Sequence, residues 1–347
     1  MVAAPASDKD EPRRLLDDDG QPVPGARVPS IPDEALHRMF DTMILSRILD
    51  ERITKLARHG LLDFHASARG EEATHVAVAP LRPTDWVFPG LREHGAWLWR
   101  GYTIEQYVDQ LHGNEADPAK GRQLPAHHTA RWLNLVSVGS RVGSRLPQAV
   151  GAAFAARALG KDDVTMALFG DDATSTGDFH VGLNFAGVWK APCVFVCRSG
   201  GSAGARQTAA RTIAVKAPGY GMPGVRVDGH DAIAVWQVAS DAIERARAGG
   251  GPTLIEAVLQ RAGDRTDPLH RLRGYLRHRG LWSEQAEAER SERFHAQIRD
   301  ALAAAARKRP PAIESLFDDV YEHPPWHLRE QCAYLVAQNR SEDPCPR

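Results

Sequence analysis

Gly170-Asp171-Asp172-Ala173-Thr174-Ser175-Thr176-Gly177-Asp178-Phe179-His180, continued by Leu183-Asn184-Phe185-Ala186, stands between two short apolar runs, Val164 to Phe169 and Cys193 to Cys197. Both runs read as strands buried in a parallel sheet. The loop between them is acidic and bounded by glycine, and a helix starts at Asp178. Such a turn offers backbone N–H groups and a carboxylate together, an arrangement that suits a metal-bound diphosphate.

Working outward, the same alternation continues. Helix is expected over 178–190, strand over 225–227, helix over 231–248 and strand over 253–259. The pattern predicts an α/β fold with a parallel sheet covered by helices on both faces. Ligands in such sheets sit beyond the carboxyl ends of the strands, which puts the Gly170 loop and Arg198-Ser199-Gly200-Gly201 at one edge. Upstream, Leu36, Met39, Phe40, Met43, Ile44, Ile48, Ile53 and Leu56 recur at helical spacing. Ser30 is the expected cap, Pro32 lies in the first turn and Gly60 closes the run. Gly70-Glu71-Glu72 opens a second helix, and Asp85 to Pro89 is a short strand entering a turn. The Ala- and Gly-rich stretch 146–159 predicts a helix packed close to its neighbours. A long charged helix is expected over 284–307.

With 347 residues, 43% of them hydrophobic, the chain can bury a large core. Its formal charge of -1 gives no electrostatic case for nucleic acid or an anionic membrane. No apolar run approaches membrane-spanning length. Residues 1–29 read as a flexible acidic and Pro-rich leader without signal-peptide character, 30–331 as one domain and 332–347 as a tail. A soluble, cytoplasmic protein is expected. Four cysteines make no disulfide framework. Cys193 and Cys197, four apart in a strand, face the same side as core thiols. Gly219-Tyr220-Gly221-Met222-Pro223-Gly224 fits a dinucleotide fingerprint by letter, but it precedes a strand instead of linking strand to helix.

Further islands accompany the opening stretch: Arg69-Gly70-Glu71-Glu72-Ala73, Arg92-Glu93-His94-Gly95, Gly121 to His127, Leu146-Pro147-Gln148-Ala149-Val150-Gly151, Tyr220 to Gly229, Gly251 to Ala257, and Phe317-Asp318-Asp319-Val320-Tyr321. In this order, across roughly residues 35 to 331, the chain resembles the alpha subunits of 2-oxo acid dehydrogenases, the thiamine-diphosphate-dependent decarboxylase component, most closely the branched-chain (2-oxoisovalerate) type. The resemblance implies a thiamine-diphosphate-binding fold, a heterotetramer of two alpha and two beta chains, Mg²⁺ on the diphosphate, and a lipoyl-bearing acyltransferase core as partner. It implies oxidative decarboxylation of a 2-oxo acid with acyl transfer to lipoyl, the coenzyme acting as electron sink.

By the same resemblance, Arg92, Ser140, Val142, Gly170, Asp171, Asp172, Ala173 and Arg198 bind the cofactor. Asp171 and the carbonyl of Ser202 bind the metal, and His127 is the matched catalytic histidine. Several positions depart from the family pattern. Leu91 stands for a tyrosine. Ser199 and Gly200 replace two asparagines, the second a metal ligand, so Gly200→Asn is expected to tighten Mg²⁺-dependent binding. Asp172 replaces a glycine; it either repels the diphosphate, by about 4 kcal/mol per unit pair at roughly 4 Å and an effective dielectric of about 20, or turns to the metal in place of the lost amide. Arg141 and Arg145 replace the Pro and Gln that surround a structural monovalent cation. The loop at 260–267 lacks the family's histidine and regulatory serines. Two readings follow: a catalytic alpha subunit, or a non-catalytic homologue kept for assembly or regulation. His65 and His128 are further candidates for a substrate pocket.

Overall fold

The computed structural model describes residues 11–62, 64–200, 208–259 and 267–339. Five parallel strands form one sheet: β1 (Trp86–Phe88), β2 (Thr165–Gly170), β3 (Cys193–Ser199), β4 (Gly224–Asp228) and β5 (Thr253–Val258), in the order β1-β2-β3-β5-β4. Alternation along each strand sends side chains to two separate cores. Met166, Leu168, Val194, Val196 and Ile255 face one core; Ala167, Phe169, Phe195, Leu254 and both Cys193 and Cys197 face the other.

The first core is closed by α1 (Asp33–Arg58), α3 (Ile104–His112), α6 (Ala232–Arg245), α7 (Pro268–His278) and α8 (Glu284–Ala305). The second lies under α4 (Arg145–Ala158) and α5 (Gly177–Val188). These two pack closely because α5 presents Gly182, where a β-carbon would stand 3.1 Å from the backbone nitrogen of Pro147. Short α2 (His94–Trp99) follows β1, and α9 (Trp326–Asn339) ends the described chain. Among the described residues, no helix is long and apolar enough to cross a membrane.

Three local readings differ from expectation. The second helix is a 3-10 turn over Glu72–Val78, buried at every residue. Pro32, not Ser30, holds the cap position of α1, with no side-chain cap bond. Residues 11–29 are no loose leader. Arg13 bridges Val227 beside β4, Leu16 is fully buried, and the Leu15 and Leu16 N–H groups donate to Asp231 Oδ2 at 2.8 and 2.7 Å. The acidic composition suggested solvation, but Leu16 supplies an anchor. Asp231 is the N-cap of α6, so its other oxygen accepts from Ile233 and Ala234. The boundary drawn at 331/332 falls inside α9.

Asp231→Ala removes one buried acceptor from four N–H donors. It should cost about 2 to 4 kcal/mol in urea unfolding and speed proteolysis within residues 11–29.

The core also holds neutral imidazoles. His75 accepts the Gly95 N–H at Nδ1, and burial, opposed by Glu93, pushes its pKa down to about 3. His128 is likewise pushed well below the ordinary value by burial. In the unfolded chain each titrates near 6.5, so as pH falls below that value the unfolded state takes up protons that the folded state refuses. Stability should therefore fall as pH drops from 6.5 towards 4, by at most about 1.4 kcal/mol per pH unit for His75, with His128 acting in the same direction. Urea unfolding of His75→Gln across this range should show a shallower slope than the parent.

Candidate functional site

The β2–β3 register pairs Gly170 with Arg198, so the acidic loop and the arginine leave adjacent strand ends side by side. They open on a cavity of about 360 Å³. Arg92, Ser140, Val142, Gly170, Asp171, Asp172, Ala173 and Arg198, far apart in sequence, all line it. Ser202 lies outside the described residues, as do 260–266.

The loop itself is a 3-10 turn over Asp171–Ser175, after which Thr176 caps α5 by accepting from the Phe179 N–H. Thr174 Oγ1 donates to the Asp171 carbonyl at 2.8 Å, which fixes the turn. Asp171 is buried, and its Oδ2 has no hydrogen-bond partner among the described residues. Burial and the neighbouring Asp172 raise its pKa, against the pull of the Gly200 and Asp172 N–H groups and Arg198. A buried carboxylate oxygen without a donor is what a cation would satisfy. Asp172 is exposed and lines the same cavity. Opposite, Gly143 holds φ +84°, and a β-carbon there would lie 2.3 Å from Thr176 Oγ1, so the 139–145 turn can approach the loop only as glycine.

Arg198 does not reach into the cavity as a free cation. Its guanidinium pairs with Glu71 and, at 2.8 Å, with Glu93. Burial disfavours its charge, but Glu93 and Glu71 more than offset that and hold it firmly protonated. Glu93 is fully buried and stays anionic, since Arg198 and Arg145 outweigh its desolvation. Arg145 donates to the carbonyls of Gly139 at 3.1 Å and Leu168 at 3.4 Å. It occupies a place among main-chain oxygens, whereas Arg141 is exposed with its Nε 3.9 Å from Asp178. Arg92 donates to the Ser67 carbonyl and so holds the cavity rim.

His127 is buried beside the cavity instead of lining it. Its Nδ1 lies 3.1 Å from the Pro125 carbonyl and its Nε2 2.7 Å from Ser140 Oγ. A carbonyl can only accept, so Nδ1 carries the hydrogen and Nε2 accepts a hydrogen bond from the Ser140 hydroxyl. The Ser140 oxygen is thereby turned to present lone pairs to the cavity.

The structure sets a steric obstacle to the change expected at Gly200. It sits at φ +150°, and a β-carbon would stand 1.7 Å from the Leu259 carbonyl. An asparagine there requires the β3–β5 edge to move, so the amide cannot simply be restored. Sequence reasoning also missed the pairing of Arg198 by Glu71 and Glu93. Both acids stood in quoted motifs, but nothing in their spacing pointed to an arginine 127 positions from Glu71.

Compared with known proteins, residues 40–266 match the family described as "Dehydrogenase E1 component". The chain is 35% identical to 2-oxoisovalerate dehydrogenase subunit alpha 2, mitochondrial, of Arabidopsis thaliana, over 95% of this chain and 75% of that protein. It is 35% identical to the mitochondrial alpha subunit of Homo sapiens over 92% of this chain and 77% of that one. With the corresponding protein of Dictyostelium discoideum it shares 33% over 93% and 79%. Matched over this span and with this sheet, the chain belongs to the dehydrogenase E1 component family, among its branched-chain 2-oxo acid dehydrogenase alpha subunits.

Proposed function

We propose that the cavity at the β2 and β3 ends holds thiamine diphosphate and Mg²⁺ for the oxidative decarboxylation of a branched-chain 2-oxo acid. The chain is an acyl-transferring dehydrogenase's alpha subunit, a class that works with a beta subunit and an acyltransferase core, and the catalytic reading is favoured over the non-catalytic one. The observation that carries the reading is Asp171, whose Oδ2 is buried and unpartnered among the described residues, in the lining of a cavity shared with Arg92 and the Gly170–Ala173 turn.

The donor set fits the group in part. Asp171 would take the metal, and the turn's N–H groups with Arg92 would face the diphosphate. Ser140 and Val142 would flank the aminopyrimidine. When bound, the coenzyme supplies the electron sink for loss of carbon dioxide. The residues here contribute positioning and fixed charge. Arg198 acts through Glu71 and Glu93: the three hold each other in register, so the loops behind the turn are fixed in place. Asp172 adds a second carboxylate at the same mouth, and we propose that it supplies a metal oxygen that position 200 cannot.

Exposed Phe154, Val181, Phe185 and Val188 on α4 and α5, with Phe154 and Phe185 each 4.8 Å from the Trp189 ring, support a subunit contact on this face. Two alpha and two beta chains is the stoichiometry we propose. A cytoplasmic location is proposed; the relatives named above carry "mitochondrial" in their names.

In the purified complex with its beta chain, thiamine diphosphate should bind saturably with Mg²⁺ and support decarboxylation of 2-oxoisovalerate with an artificial electron acceptor. Asp171→Asn should weaken Mg²⁺-dependent binding by more than the roughly 10- to 100-fold of an outer-shell loss. Unchanged binding would place the metal elsewhere. Gly200→Asn should lower thermal stability without tightening the cofactor. Tighter binding at unchanged stability would contradict the close approach to Leu259.

A further inference from the structure

Linked to Arg92 through Ser67 is a second cluster that the decarboxylase reading does not use. Asp50 comes from α1, His65 from the segment entering the Glu72–Val78 turn, and His94 from the start of α2. Their side chains are 3%, 2% and 2% exposed. Asp50 Oδ1 is 2.8 Å from His65 Nε2 and 3.6 Å from His94 Nε2, and ligand atoms of all three lie within 4.8 Å of one another. The two imidazoles stack, with centroids 5.1 Å apart and planes 22° from parallel, so their Nε2 edges converge on one carboxylate oxygen.

We propose that Asp50, His65 and His94 form a binding site for a divalent transition metal of the zinc type. Two imidazole nitrogens and one carboxylate oxygen are a donor set suited to zinc, with a fourth position left for water. The surroundings are those of an oriented site. Ser67 Oγ donates to Asp50 Oδ2 at 2.7 Å, and the Ala68 N–H donates to Oδ1 at 3.0 Å. Tyr107 Oη, itself fully buried, bonds His94 Nδ1 and fixes the ring.

In the metal-free protein His94 Nε2 donates to the Ala66 carbonyl at 3.0 Å. A metal at His94 Nε2 requires that ring's hydrogen on Nδ1, where Tyr107 Oη can accept it. Burial keeps His94 neutral, with a pKa down to about 4. Burial opposes ionisation of Asp50, but its bonds to His65, Ser67 and Ala68 outweigh this and hold its pKa near 2, so both are in the ligating form at neutral pH. There is also an entry path: Asp50 and Ser67 line an open groove of about 530 Å³ with Thr54, Lys55 and Arg69.

An ion there would tie α1 to the 64–69 segment and, through the Ser67 carbonyl, to Arg92. The test uses the full chain in the assembly in which it purifies, stripped with chelator and titrated with Zn²⁺ by calorimetry and with Co²⁺ by visible absorption. One equivalent of Zn²⁺ should bind and raise the melting temperature. Co²⁺ should give the strong d–d bands of low coordination. His65→Gln should weaken Zn²⁺ binding by about 100-fold or more. Absence of saturable binding at millimolar Zn²⁺, or unaltered binding by His65→Gln, overturns the proposal. Should that variant fail to fold, zinc-edge X-ray absorption of the wild type decides: two imidazoles in the shell support the site, and a shell without them overturns it. These readouts do not involve thiamine diphosphate, so this site and the decarboxylase site stand or fall separately.

Discussion

The contact on which the rest of this site depends is the buried pairing of Arg198 with Glu71 and Glu93. A guanidinium this deep costs several kcal/mol to desolvate, and two carboxylates that reach it from separate loops offset that cost. Removing one partner of such a group costs about 3 to 5 kcal/mol, because the remainder stays buried and uncompensated. The loops carrying Glu71, Glu93 and Arg198 are therefore fixed relative to one another before any ligand arrives. Gly170 follows, since its place in β2 is set against Arg198 in β3.

Charge then sorts itself in layers around the cavity. Arg145 lies among the Gly139 and Leu168 carbonyls and within reach of Glu93, while Asp171 and Asp172 stand at the mouth. The inner layer is held by the ion pairs of Arg198 with Glu71 and Glu93. Asp171 Oδ2 at the loop is buried and has no partner among the described residues. Loops fixed by buried ion pairs beside an open cavity suit a pre-organised receptor. The Asp50 cluster is likewise held in place, with Ser67 and Ala68 donating to the carboxylate and Tyr107 fixing the His94 ring. Arg92 connects the two places through the Ser67 carbonyl.

Much of the scaffold was legible along the chain. The runs from Val164 and from Cys193 are β2 and β3 to within a residue or two, and Cys193 and Cys197 share one core as their spacing required. The eight cavity residues named from motif resemblance do surround one cavity. The leader was misread because composition averages over residues, and a single apolar anchor such as Leu16 decides docking. The Gly200 expectation meets its steric obstacle for a related reason. A letter missing from a motif looks restorable until the backbone shows φ +150° and a carbonyl where the β-carbon would go.

Sequence alone determined the alternation of strand and helix, the loop that bears Asp171, and the sheet edge at which the cavity opens. These follow from periodicity and turn chemistry, which act between residues close along the chain. Only the tertiary structure decided that Arg198 is paired, that His127 turns the Ser140 hydroxyl, and that Asp50, His65 and His94 converge. Each of those depends on where separate loops come to rest after packing, and no local pattern encodes a distance across the fold.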